Sequence, residues 1–428
     1  MAPADPRLGL SAPESIPRPD PYAALRHGPY RAFLIGRGVF LIGGQMQTAA
    51  VGWQIYERLG SKLALGYVGL VQIVPVLCLA LPAGHAADRW DRRRLILAGL
   101  GLYLACSGGL AALSWWDGPA FGIYALLFML GVARAFTMPA MGALLPSVIP
   151  RDLWANATTW SSSLFELTGL VGPALAGMLI AATGRATTVF VAATACSFCA
   201  GLLFFLLRPL PRIVLKKAPT LQDLLGGFRF VFRTRLLLAA AALDMFAVLL
   251  GGATALLPVV AKDILHAGPQ GFGWLRAAPS VGAVGMALFT AHLPPWRHAG
   301  RVLLGAFVGF GAATIVFGLS QNFWLSLAML VLTGMFDNLN VVIRQTLVQF
   351  ITPDEMRGRV TSVNFIFIGL SNELGAFESG LTAQWFGTVP SIVGGGIGTI
   401  VVVLAVMRLV PRLRRLGRLH DIQPAPVS

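Results

Sequence analysis

Stretches of roughly 18 or more apolar residues recur along this chain, each long enough to cross a ~30 Å hydrocarbon core. A backbone in lipid must satisfy its own hydrogen bonds, so runs of this length are read as helices. Charged residues make up 12% of the 428 positions and apolar residues 56%, whereas a soluble domain carries about 25% charge. The sequence therefore predicts an all-α polytopic membrane protein and excludes a soluble multidomain chain.

Twelve spans are expected, at 33–55, 65–86, 95–114, 120–141, 157–181, 187–207, 236–260, 273–293, 302–319, 323–344, 361–386 and 389–409. They fall into two six-helix bundles, 31–207 and 236–409, joined by a cytoplasmic linker at 208–235. Residues 1–30, dense in proline, are expected as a disordered cytoplasmic tail, and 410–428 as a second tail. The linker stretch from Thr220 to Phe232 has the pattern of an amphipathic helix lying on the membrane surface.

Lys and Arg set the orientation. With the N-terminus inside, the tails and even-to-odd connectors hold 25 of the 33 basic residues, while the other face holds only Arg58, Lys62, Arg185 and Lys262. The positive-inside rule then puts both termini in the cytoplasm, which fits a bacterial inner membrane. The net charge of +15 is thereby a matter of topology and anionic lipid, and no nucleic-acid partner is expected. The two sets of six also repeat. At a constant offset of 203, Gly131 matches Gly334, Pro150 matches Pro353, Thr158 matches Thr361, Gly172 matches Gly375, Gly177 matches Gly380 and Gly184 matches Gly387. Two parallel repeats about an axis along the membrane normal account for this.

Enzymatic chemistry finds no support. The chain has no HExxH, G-x-S-x-G or P-loop motif, and its histidines fall in tails, connectors and span ends. Cys196-Ser-Phe-Cys199 has redox spacing but lies among apolar residues with no histidine nearby, so it reads as packing. No metal and no cofactor are expected.

Gly84-x-x-x-Asp88-Arg89-x-x-Arg92-Arg93 resembles the loop 2–3 motif of the major facilitator superfamily, with Asp91 where the general pattern has Gly. The resemblance covers about residues 31 to 409 and implies two pseudo-symmetric six-helix bundles that transport by alternating access. Three stretches look like the branch holding enterobactin exporters and drug-efflux proteins: Gln54 to Ser61 with Leu65 to Leu70, Asp244 to Pro258, and Gly273 to Ala283. Gly169-x-x-Gly172-Pro173-x-x-x-Gly177 is similar to the helix 5 motif of exporters. Arg134 matches a helix 4 arginine that the resemblance associates with proton coupling.

Ionisable groups in hydrocarbon are costly, so those inside the spans are expected to face the bundle interior. Arg134 and Glu166, near mid-depth on adjacent helices, are expected to pair, either as a coupling site or as a permanent structural bridge. Asp244 has no basic residue within a helical turn and is a proton-site candidate. Asp337 and Arg344, seven apart on one helix face, are expected to bridge or to line the inner gate. Glu373 and Glu378 are the remaining acids, with Glu373 the deeper. Arg37, Gln45, Gln47 and Gln54 are read as pathway lining, and Trp53 as an anchor at the outer interface. These acids suit an amphipathic cation, whereas Arg37 and Arg134 suit an anionic siderophore; both remain open.

Asp88 is expected to latch onto the N-terminal end of span 11, near Arg357, Arg359 and Thr361, in the outward-open state. Together these features predict a monomeric, proton-gradient-driven exporter of a small amphipathic molecule. The alternative is a facilitator or importer of the same fold without proton coupling.

Overall fold

The computed structural model describes residues 20–207, 221–292 and 296–417. Twelve long helices run in antiparallel sequence: α1 Gly28–Leu59, α2 Lys62–Arg89, α3 Arg92–Trp115, α4 Ala120–Val148, α5 Trp154–Thr183, α6 Thr187–Leu206, α7 Arg235–Leu250, α8 Gly268–Ala291, α9 Ala299–Leu319, α10 Phe323–Ile351, α11 Asp354–Phe386 and α12 Thr388–Leu409. Among the described residues eleven segments are long and apolar enough to cross a membrane, one of them running from α7 through the turns that follow it to Ile264. The twelfth is α1, long enough at 32 residues but diluted by Arg31, Arg37, three glutamines, Glu57 and Arg58.

Local chemistry explains the ends. The Ser61 and Asn322 side chains accept from the backbone N–H groups of Ala64 and of Trp324 and Leu325, capping α2 and α10. Gly184 and Gly387 close α5 and α11 at φ +70° and +98°, where a side chain would be strained. Gly251 and Gly252 end the regular part of α7. The chain then continues through a 3₁₀ turn, Ala253–Leu256, and a π turn, Val260–Ile264.

The pairing of helices repeats between the halves. Within the first, α1 packs on α5 and α6, α2 on α4, and α3 on α4 and α6; within the second, α7 packs on α11 and α12, α8 on α10, and α9 on α10 and α12. Gly131 lies on the α2 backbone near Gln72 and Pro75, and its repeat mate Gly334 lies on the α8 backbone at Pro279. The halves meet through α5 against α8 and α2 against α11, again a matched pair.

Both described ends of the chain and the linker helix lie on one side, here the terminal face; the opposite side is the far face. Order begins earlier than the expected tail boundary. A short helix, Ala23–Arg26, precedes α1, the Asn156 side chain bonds to Ala24 N and Pro21 O, and Tyr30 is fully buried with its hydroxyl donating to Ala157 O at 2.7 Å. The amphipathic linker helix, Leu221–Arg233, does not lie alone on a membrane surface. Val231 is buried with Met356, Val360 and Val363, and the Phe228 ring packs at a tilt against Phe367 with centroids 5.8 Å apart, so the apolar face docks on the terminal end of α11. The rest of the tails and residues 208–220 lie outside the described residues.

Candidate functional site

Two charge centres occupy the middle of the bundle, and neither is the pair expected from helix adjacency. Arg134 on α4 reaches across to Glu373 on α11, with Nη1 to Oε1 at 3.1 Å; the two side chains are 41% and 18% exposed. Glu166 is therefore not its partner. Two further features place the Glu373 carboxylate. A Cβ on Gly69 of α2 would stand 2.8 Å from Glu373 Oε2, so the glycine lets that oxygen lie against bare backbone. Arg276 on α8 adds a second positive charge facing Glu373.

The second centre lies within the C-terminal half. Asp244 on α7 pairs with Arg344 on α10 at 3.1 Å, and both side chains are almost wholly buried, at 7% and 3% exposed. Arg344 Nη1 also donates to Asn364 Oδ1 of α11 at 2.8 Å. Asp244 is thus a fixed counter-ion rather than a bare carboxylate, and Arg344 bridges to it instead of to Asp337. Asp337 lines a cavity beside this centre and takes no hydrogen bond or ion pair from any described residue; the charges facing it are Asp244, Arg344 and Glu166. Glu166 comes from α5 of the other half, one turn before Gly169.

Several expected lining residues pack inside the N-terminal half. Gln47 accepts from Ser107 Oγ at 2.6 Å and Gln54 donates to Ser114 Oγ at 2.7 Å, tying α1 to α3. Trp53 is 4% exposed and packs on Phe272 of α8, with centroids 5.5 Å apart, so it is an inter-half contact and not an interface anchor. Arg37 is half-buried and faces Tyr30. Gln45 is also half-buried, and a Cβ on Gly172 would stand 2.5 Å from Gln45 Cβ. In the loop motif, Arg92 donates to Ala143 O and Ser147 Oγ of α4, and Arg93 donates to Phe204 O and Phe205 O of α6. These arginines tie α3 to its own half. Gly84 lies in α2 with open space beside it, and Arg89 is exposed. The Asp88 side chain, the expected latch, lies outside the described residues.

From mid-depth to the far face the halves are held together. Gly177 crosses Gly273: a Cβ on Gly177 would stand 2.6 Å from Pro269 O and 2.7 Å from Gly273 Cα. Gly380 crosses Gly66 in the same way, its Cβ 2.8 Å from Lys62 O and 2.9 Å from Gly66 Cα. At the far end the Tyr56 hydroxyl of α1 donates to Asp263, presented by the π turn after α7. Lys262 Nζ stands 5.9 Å from the Tyr56 ring centroid. The molecule is closed at the far face. The glycine–proline motif of α5 divides between two partners, Gly172 against α1, and Gly169 and Gly177 against Ser280 and Gly273 of α8, with Pro173 lending its carbonyl to the same crossing.

Two matched six-helix bundles, with paired charges between and beside them, define a membrane transporter of the major facilitator class. The model of the transmembrane secretion effector family matches residues 19–422, and the chain belongs to that family. It is 26% identical to the enterobactin exporter EntS of Citrobacter koseri, over 94% of this chain and 95% of the relative. It is 25% identical to the multidrug efflux pump Tap of Mycobacterium tuberculosis, over 91% and 95%. Among solved structures it superposes on a bacterial homologue of the human lysosomal transporter Spinster, inward-facing and unoccupied, with TM-score 0.69 at 16% identity over 90% of this chain and 97% of that one. The nucleoside transporter NupG gives TM-score 0.67 at 14% identity, over 89% and 99%.

Proposed function

We propose that this transporter is a proton-coupled exporter of small amphipathic molecules, working by alternating access with its terminal face in the cytoplasm of a bacterial inner membrane. The Arg134–Glu373 bridge carries the reading, because its members sit on opposite halves. Any motion that parts α4 from α11 breaks it. Parting two charges in a low-dielectric interior is costly, and a proton on Glu373 removes most of that cost. Glu373 would thus change partners, from Arg134 to a proton, once per cycle. The names of the relatives, an enterobactin exporter and a multidrug efflux pump, support the outward direction. So does the basic terminal face, which by the positive-inside rule would lie in the cytoplasm and leave the closed far face outside.

The test uses inside-out vesicles and a fluorescent amphipathic dye. Dye uptake is expected to follow an imposed pH gradient and to collapse with an uncoupler. Glu373→Gln should retain dye exchange but lose its response to the gradient. Wild-type transport indifferent to the gradient would overturn the coupling and leave the facilitator or importer reading in its place.

A further inference from the structure

The C-terminal half contains a cavity of about 160 Å³ that neither charge centre uses. Its walls come from five helices: Gly252 where α7 breaks, Pro279 of α8, Phe310 and Phe317 of α9, Asp337 of α10 and Asn372 of α11. Its origin is legible in the backbone. Regular helix stops at Gly251 and Gly252, which carry no side chains, and the chain swings into the 3₁₀ turn beyond them. Short threonines at 254, 314 and 333 leave the rest of the volume empty.

The charge around this cavity does not balance. The cation that faces Asp337, Arg344, is already committed to Asp244 and Asn364. Asp337 is left with no hydrogen-bond or ion-pair partner among the described residues, on an apolar, aromatic wall, with Glu166 as a further acidic group facing it from the other half. A lone carboxylate among aromatic rings favours one kind of guest, an organic cation with weakly hydrated positive charge, since the ring faces and the carboxylate both attract it. The size limits the guest to one head group, because a cavity of about 150 Å³ holds a single benzene.

We infer that this pocket is a cation-accepting subsite, which receives a quaternary or tertiary ammonium head with Asp337 as counter-ion and Phe310 and Phe317 as its aromatic walls. An exported molecule would put its charged head here and leave its apolar body in the space between the halves. Asn372, which lines the pocket, precedes Glu373 in α11, so the pocket and the inter-half bridge share that helix. Describing the guest as cargo rests on the export reading; the pocket's preference for cations does not.

Equilibrium binding of radiolabelled choline to the purified full-length protein tests the pocket, with sodium chloride at equal ionic strength and the uncharged tert-butyl isostere of choline as competitors. Saturable binding is expected, displaced by excess choline but by neither competitor. Asp337→Asn should weaken it roughly tenfold or more, as loss of one close counter-charge implies. Thr314→Met, which fills the volume and keeps Asp337, should abolish it while the protein still elutes as a folded species. Displacement by the isostere, or unchanged binding in either folded variant, would overturn the inference. Absence of saturable choline binding to the wild type would do the same. Gradient-independent dye transport alongside intact choline binding would sink the coupled-export reading and leave the subsite standing.

Discussion

Glu373 has its position because Gly69 has no side chain. A methyl group there would occupy space 2.8 Å from its carboxylate oxygen and tilt it away from Arg134. Gly69→Ala is therefore expected to slow transport about tenfold or more, the worth of one charge-assisted hydrogen bond, with the unfolding midpoint unchanged. Asp244 should behave in the opposite way. Asp244→Asn leaves Arg344 buried without its counter-charge, which costs about 3–5 kcal/mol. Thermal unfolding in detergent should show a large drop, partly recovered in Asp244→Leu combined with Arg344→Met. Which residues are ionisable and inward-facing was legible from hydropathy alone, but their partners were not. Successive residues turn 100° about a helix axis, so an error of one residue in helix rotation exchanges one partner for another. Glu166 was adjacent by helix number, whereas Glu373, 239 positions away in sequence, is the residue in contact.

The glycines act through the elements they join. In α5 and α11 the matched residues Gly177 and Gly380 bring two backbones together across the halves, and no side chain fits between them. Gly177→Val is expected to prevent far-face closure. Its readout is thiol labelling of Trp53→Cys in a cysteine-free background, and labelling should rise several-fold. The repeat at offset 203 made this symmetry readable, because small residues at a close crossing leave a mark in the sequence. The break in α7 left a weaker mark. Gly251-Gly252 lies inside an apolar run, and hydropathy does not distinguish a continuous helix from one interrupted by 3₁₀ and π turns. For the linker helix, the pattern revealed an apolar face but not the surface that covers it. Phe228→Glu should undock it from α11 and increase proteolysis between Leu207 and Thr234.

For the whole molecule, the far-face lock between Tyr56 and Asp263 is one hydrogen bond to a charged group, held by a π turn of the kind found at functional sites. Tyr56→Phe removes the bond and keeps the ring under Lys262. Since such a bond contributes about 1.5–3 kcal/mol, the population open at the far face should rise by roughly a factor of ten or more. Far-face labelling of the same kind, or distance measurements between spin labels on the two halves, would show it.

In the alternating-access motion proposed above, the two glycine crossings would set the gearing of the molecule. Gly66 and Gly177 each lie 23 residues from the terminal-face end of their helices, Arg89 and Trp154. That is a lever arm of roughly 35 Å on both sides, against a short arm of under about 10 Å to the far face. A rotation of about 10° around these crossings moves the terminal ends by roughly 6 Å and the far ends by only about 1–2 Å. Misfit at the fulcrum is multiplied along the long arm, so the bearing surface tolerates less added bulk than either rim.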